Sequence, residues 1–275
     1  MNAISNTQVY GVIGDPIAQS LSPDIHNRWI KSAEIDAYYN KFHLQTNSAK
    51  TDIQTLYRFG VKGLNITMPY KESAIQAAYS VSETAKIIGV ANTLKATPEG
   101  WQAENTDAVG FLNALLECLE ETNLKDKRIL LIGAGGAARA VAYILNKQGA
   151  DLTIANRTVE KAQSLISELA PQANACGLSL LAEKMKTSEI VINATSLKAG
   201  IATNLEFPQG QNRLFYDLSY GQAPKPVLAK ASFNGWKTQD GLRMLVEQAA
   251  LAYQMWHGDM PDVNSAFRMC LQKVN

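Results

Sequence analysis

The stretch KRILLIGAGGAARAVAYIL, residues 127–145, decides the fold. A short apolar, β-branched run ends at a glycine cluster, and an alanine-rich stretch of helix formers follows it at once. That order reads as strand, tight turn, helix. The cluster itself, Gly133-Ala134-Gly135-Gly136-Ala137-Ala138, fits the pattern G-x-G-x-x-A. Gly133 permits the tight turn, Gly135 lets backbone approach a pyrophosphate, and the small Ala138 lets helix and strand pack closely. Free N–H groups at the helix start then hold phosphate charge. Arg139 and the glycines interrupt the apolar run, so it is not a membrane span.

The next strand, in ADLTIANR, bears on which dinucleotide binds. An NAD site usually places an acid at this strand's end, against the ribose 2′-hydroxyl. Here TIANRTVEK puts Asn156, Arg157 and Thr158 there, with Lys161 one helical turn beyond Arg157. An acid would repel a 2′-phosphate, whereas an amide, a guanidinium and a hydroxyl all donate to it. The guanidinium can also lie flat on adenine. NADP is the expected cofactor.

Further along, EIVINAT and RLFYDLS are apolar enough to be buried parallel strands. Upstream, Lys125-Asp126-Lys127 is a polar break preceded by a helical pattern, VGFLNALLECLEE, and a domain boundary is expected near this helix. In the first hundred residues QVYGVIG, AYYNKFHL and GLNIT read as strands. Ser22-Pro23-Asp24 reads as a helix start, with Ser22 as N-cap. NTLKAT and WQAEN flank the turn signal Pro98-Glu99-Gly100, which predicts a hairpin. Helices are expected over about 241–257 and 263–273. Strands alternating with helices predict an α/β protein with largely parallel sheets.

Composition narrows the function. A chain of 275 residues, 46% hydrophobic and 19% charged, suits an ordinary globular enzyme of one or two domains. With 26 basic and 25 acidic side chains there is no field to attract nucleic acid or an anionic membrane, which points to a small-molecule partner. Cys118, Cys176 and Cys270 are scattered and odd in number, so neither a disulfide framework nor a zinc site is expected, and a reducing cytoplasm fits. His26, His43 and His257 show no metal-ligand spacing. The start, MNAISNTQVYGVIGD, lacks a basic n-region, so no signal peptide is expected.

The remaining motifs follow one another in a recognisable order. They are Ser20-Leu21-Ser22-Pro23, GLNITMPYK (Gly63 to Lys71), GVANTL (Gly89 to Leu94) and NTDAVGF (Asn105 to Phe111). After these come GAGGAARA, NRT, NATS (Asn193 to Ser196), DLSYG (Asp217 to Gly221) and GLRMLVEQAA (Gly241 to Ala250). In this series, which spans nearly the whole chain, the sequence resembles the shikimate dehydrogenase family. The resemblance implies a substrate domain of residues 1–107 joined by carboxy-terminal helices 243–275, and a Rossmann-type NADP-binding domain of residues 108–242. The site is expected in the cleft between them.

The reaction implied is reversible NADPH-dependent reduction of 3-dehydroshikimate to shikimate, by a monomer or homodimer. Lys71 is the implied acid for the developing alkoxide and Asp107 its orienting partner, a role the chemistry requires of some acid. By the same resemblance Ser20, Ser22, Asn65, Thr67, Asn92, Tyr220 and Gln248, together with Lys71 and Asp107, hold the substrate. These neutral groups donate, and most also accept, as ring hydroxyls do. Leu218, Gly241 and Met244 are placed near the nicotinamide, Glu83 close to the cofactor, and Thr195 among the cofactor contacts. Two residues depart from the family pattern. Tyr70 stands where His or Phe is common, and Arg243 where glycine is common. Two other readings remain: an NAD-dependent quinate/shikimate dehydrogenase, and a non-catalytic NADP sensor. The Ser20/Ser22 pair and the Arg157 cluster argue against the first, retention of Lys71 and Asp107 against the second.

Overall fold

A computed structural model describes residues 7–195, 200–201 and 204–274. The first six residues of the amino-terminal reading and Ser196 of the NATS segment lie outside these. The chain divides into two compact units, residues 1–106 with 246–270 and residues 107–245 with 271–275.

In the first unit, β-branched and aromatic runs become strands where their apolar side chains meet a common core. The elements are β1 (Gln8–Gly14), α1 (Ser22–Ser32), β2 (Ala37–His43), α2 (Ala49–Arg58), β3 (Gly63–Ile66), α3 (Lys71–Ala77), β4 (Ser80–Val81), α4 (Glu83–Ile88), β5 (Thr93–Thr97) and β6 (Gly100–Glu104). They form one sheet in the order β2-β1-β3-β5-β6-β4. β1 pairs parallel with β2 and β3. The hairpin around Pro98-Glu99-Gly100 makes β5 antiparallel to both its neighbours, so the sheet is mixed. Ile13, Leu64, Ile66, Leu94 and Trp101 anchor a core beneath it.

The start of α1 corrects the capping expectation. Leu21, not Ser22, is the N-cap; its side chain caps nothing, and the Ser20 hydroxyl accepts Ser22 N–H at 3.3 Å at the helix start. Pro23 sits in the first turn and Asp24 beside the positive helix end as expected. With its neighbour in the cap position, the Ser22 hydroxyl is available for other partners, and it is buried.

The second unit begins with α5 (Asp107–Leu119) and continues through β7 (Arg128–Ile132), α6 (Gly136–Lys147), β8 (Asp151–Ala155), α7 (Val159–Leu169), β9 (Asn174–Cys176), α8 (Leu181–Thr187), β10 (Ile190–Asn193), β11 (Leu214–Asp217), α9 (Lys225–Phe233) and β12 (Lys237–Gln239). Its strands are all parallel, ordered β12-β11-β10-β7-β8-β9. Such apolar strands are buried on both faces, and Leu130, Ile132, Val191 and Phe215 line one side of that core. The order reverses between β7 and β10, which makes their carboxyl ends the place where an open α/β sheet takes a ligand. α10 (Leu242–His257) and α11 (Val263–Val274) close the chain.

Candidate active site

Each unit carries its own group of the predicted residues. In the second, the β7 strand ends at Gly133, whose φ of +112° favours glycine. A Cβ there would meet Ala194 and Thr195, beyond the end of β10, at 3.1–3.2 Å, so the turn lies against the strand-order reversal. Gly135 is the N-cap of α6. At Gly135 and Gly136 a Cβ would find nothing within 4 Å, so both stand before open space. The α6 first-turn N–H groups, around Ala137, have no carbonyl of their own helix to bond. Ala138 is fully buried and seats the helix on the sheet. This backbone cradle fits a dinucleotide pyrophosphate.

The end of β8 adds side chains to the cradle. Arg157, Thr158 and Lys161 are exposed. The Asn156 amide donates to Thr158 O at 2.9 Å, so part of its capacity braces the turn. Arg157 lines a cavity of about 460 Å³ whose apolar walls include Leu178, Leu181, Met185, Ile201 and Leu205. A cation at the rim of an apolar slot suits a flat base bearing a phosphate.

Two buried polar residues set the loops after β10 and β11. Asn193 Nδ2 donates to Asp217 Oδ2 at 2.7 Å. Asn193 Oδ1 accepts the Thr195 hydroxyl at 2.6 Å, and Asp217 Oδ1 accepts Ser219 N–H at 2.8 Å and the Ser219 hydroxyl. One pair therefore fixes Thr195 on one side and the Leu218–Tyr220 segment on the other. Asp240 binds Leu242 N–H at 3.1 Å and also Gly221 N–H, and burial raises its carboxyl above the usual range. Gly241 follows because nothing larger fits: a Cβ would lie 2.0 Å from Leu218 O. Met244 is buried one turn on. The Arg243 side chain is 12% exposed and its Nε lies 2.6 Å from Glu117 of α5, so its charge is carried by that carboxylate.

In the first unit the predicted polar residues hold one another. Ser20 Oγ donates to Ser22 Oγ at 3.2 Å, and the Ser22 side chain lies beside the buried phenol of Tyr39. That phenol donates to Asn65 Oδ1 at 2.8 Å. Asn65 Nδ2 reaches Asn92 O at 3.3 Å and Thr93 Oγ1 at 3.1 Å. Asn92 Nδ2 donates to Thr106 Oγ1 at 2.9 Å and to Gln248 Oε1 at 3.1 Å, while its Oδ1 accepts Thr106 N–H at 2.7 Å. Ser22, Asn65, Asn92, Thr106 and Gln248 are all buried, so this satisfaction removes a large desolvation cost.

Thr67 takes the turn after β3, its N–H on Ile13 O at 2.9 Å. Three residues on, Tyr70 is buried with its hydroxyl on Leu44 O, which secures the start of α3, where Lys71 stands half-buried. Asp107 begins α5 and is buried, one residue after the tethered Thr106. Tyr220 is half-buried, and Glu83 is exposed at the first position of α4, whose N-cap is Ser82. Sequence reading missed Tyr39, Asn193, Asp217 and Asp240 as individual residues. Tyr39 lay in a strand read only as apolar, while Asn193 and Asp217 lay within quoted motifs with no role attached.

Comparison with known proteins covers most of the chain. The family model described as "Shikimate dehydrogenase substrate binding domain" matches residues 12–94. "Shikimate / quinate 5-dehydrogenase" matches 116–233, and "Shikimate 5'-dehydrogenase C-terminal domain" matches 241–265. A protein of Hyphomonas neptunium named shikimate dehydrogenase (NADP(+)) is 41% identical over 268 residues, covering 98% of each chain. A Bacillus subtilis protein of the same name is 33% identical, covering 97% of this chain and 98% of its own. The crystal structure of shikimate dehydrogenase from Aquifex aeolicus superposes with a TM-score of 0.86 at 33% identity, covering 98% and 99% of the two chains. That of the Thermus thermophilus enzyme in complex with NADP(H) and shikimate gives 0.83 at 30% identity, covering 98% and 100%.

Proposed function

Because the chain belongs to the shikimate dehydrogenase family, we propose that it reduces 3-dehydroshikimate reversibly to shikimate with NADPH, in aromatic amino-acid biosynthesis. It is an oxidoreductase acting on a CH–OH group. The first unit is the substrate domain and the second the NADP-binding Rossmann domain. The observation that carries this reading is the lattice of buried neutral hydrogen-bonding side chains in the first unit. A polyhydroxylated ring needs such an array, and an apolar substrate does not.

NADP, when bound, supplies the hydride. The chain's part is to hold, orient and protonate. Gly133 to Ala137 hold pyrophosphate through backbone; Asn156, Arg157, Thr158 and Lys161 hold the 2′-phosphate and adenine; Thr195, Leu218, Gly241, Met244 and Glu83 complete the cofactor's surroundings. Ser20 and Ser22 take the substrate carboxylate. Asn65, Thr67, Asn92, Tyr220 and Gln248 take the ring hydroxyls. Lys71 stabilises charge growing on the carbonyl oxygen and gives it a proton; this interaction strengthens as the transition state forms, so it raises kcat. Asp107, buried at the start of α5, is the second catalytic group.

The scattered, odd-numbered cysteines, Cys118, Cys176 and Cys270, support a reducing cytoplasm. No described helix is long and apolar enough to cross a membrane. The partner is a small molecule, not nucleic acid, and the assembly a monomer or homodimer. The experiment is a side-by-side rate assay of shikimate and quinate, each with NADP and NAD, followed by nicotinamide absorbance. Shikimate with NADP should be fastest. No turnover with that pair, or faster turnover of quinate with NAD, overturns the reading.

A further inference from the structure

The proposed substrate lattice leans on a side chain beyond a ligand's reach. Tyr39 has no exposed surface. Its backbone is clasped by Asn27 of α1: Asn27 Nδ2 donates to Tyr39 O, and Tyr39 N–H to Asn27 Oδ1, both at 2.8 Å. Its ring lies face to face with His26, at 4.3 Å between centroids and 4° between planes. Burial takes the His26 imidazole down to about 3, so the ring beneath the phenol is neutral.

A phenol has one proton to give. Tyr39 gives it to Asn65 Oδ1 at 2.8 Å. With Oδ1 turned to Tyr39, the Asn65 amide must present its NH₂ to Asn92 O and Thr93 Oγ1. We infer that Tyr39 is a positioning residue of the substrate site, whose single hydroxyl sets the Asn65 amide the right way round before ligand arrives. α1 supplies both Ser22 and the two residues, His26 and Asn27, that hold Tyr39, so the carboxylate end and the hydroxyl end share one support. This role rests on the proposed use of Asn65 toward shikimate.

Tyr39→Phe keeps the ring, the stack on His26 and the backbone clasp, and removes only the hydroxyl. The shikimate KM should rise roughly tenfold while kcat stays within about threefold. Combined with Asn65→Ala, the KM effect should fall short of the product of the single effects, because both variants break the same hydrogen bond. An unchanged KM, or additive effects with kcat falling in step, overturns the inference. A parent enzyme that does not turn over shikimate with NADP would overturn the functional reading instead. The inference is then decided without turnover, from the Asn65 side-chain amide resonances, assigned by their loss in Asn65→Asp. In Tyr39→Phe they should shift and exchange faster with solvent; unmoved resonances overturn it.

Discussion

The two units build their candidate ligand sites by opposite means. Around Gly133, Gly135 and Gly136 the second unit offers backbone and open space; around Asn65 and Asn92 the first offers side chains that already satisfy one another. A phosphate is one charged group that N–H dipoles at a helix start can hold without side chains. A hydroxylated ring presents several groups that both donate and accept, so every partner must be oriented beforehand. One design is written in glycine spacing, the other in contacts distant along the chain.

The largest effect should come where neither design applies, at the proposed proton donor. Lys71→Ala should lower kcat by about 10²–10⁴-fold while shikimate affinity stays comparatively intact, since the interaction matters most in the transition state. Steady-state kinetics checks this. A kcat within about twofold of the parent would remove Lys71 from the chemistry and leave the first unit as a binding lattice only.

Next in size are changes to the cradle. Arg157→Ala should weaken NADP binding by about one to two decades and NAD binding far less, because only NADP carries the 2′-phosphate. Equal losses in a titration would mean that Arg157 serves the apolar slot alone. Two glycines then separate ligand space from fold space. Gly135→Ala meets nothing within 4 Å at an ordinary φ of −89°, so it should leave the melting temperature unchanged and cost NADP affinity. Gly241→Ala drives a Cβ against Leu218 O, and should cost about 1–3 kcal/mol of stability by denaturant unfolding. If both glycines behaved alike, the division between an open cradle and a packed support would fail.

These contrasts also explain what sequence alone could read. The strands and helices of both units were legible because their apolar patterns are local, and so was the cradle, since strand, glycines and helix are contiguous from Arg128 to Lys147. Ser22 was misread as a cap because Ser-Pro-Asp is a strong local helix-start signal; the structure moves the cap one residue back, to Leu21. β4, β9 and β12 are two or three residues long, too short to carry a period. The links from Asn92 to Gln248 and from Tyr39 to Asn65 span 156 and 26 residues, and no local pattern encodes them. Arg243 stood out as a departure, but its ion pair with Glu117 on another helix could not be read from its neighbours.

The smallest effect is the most telling about the side-chain lattice. Ser22→Ala removes a hydroxyl that Ser20 engages, at a helix position where it caps nothing. Its stability cost should therefore be that of one ordinary hydrogen bond, about 1 kcal/mol or less. If Ser22 donates to the substrate carboxylate, the shikimate KM should rise several-fold, roughly five- to tenfold, with kcat within about twofold. Ser20→Ala is the comparison, because Ser20 lies in the loop before α1 and touches the helix only through Ser22, whose N–H its hydroxyl accepts at 3.3 Å. A parallel rise in KM for both variants would mark the pair as the carboxylate's donors. A lower melting temperature for Ser22→Ala with unchanged shikimate constants in both would make the serines internal braces. The first unit's lattice would then end at Tyr39, and the carboxylate would need other donors.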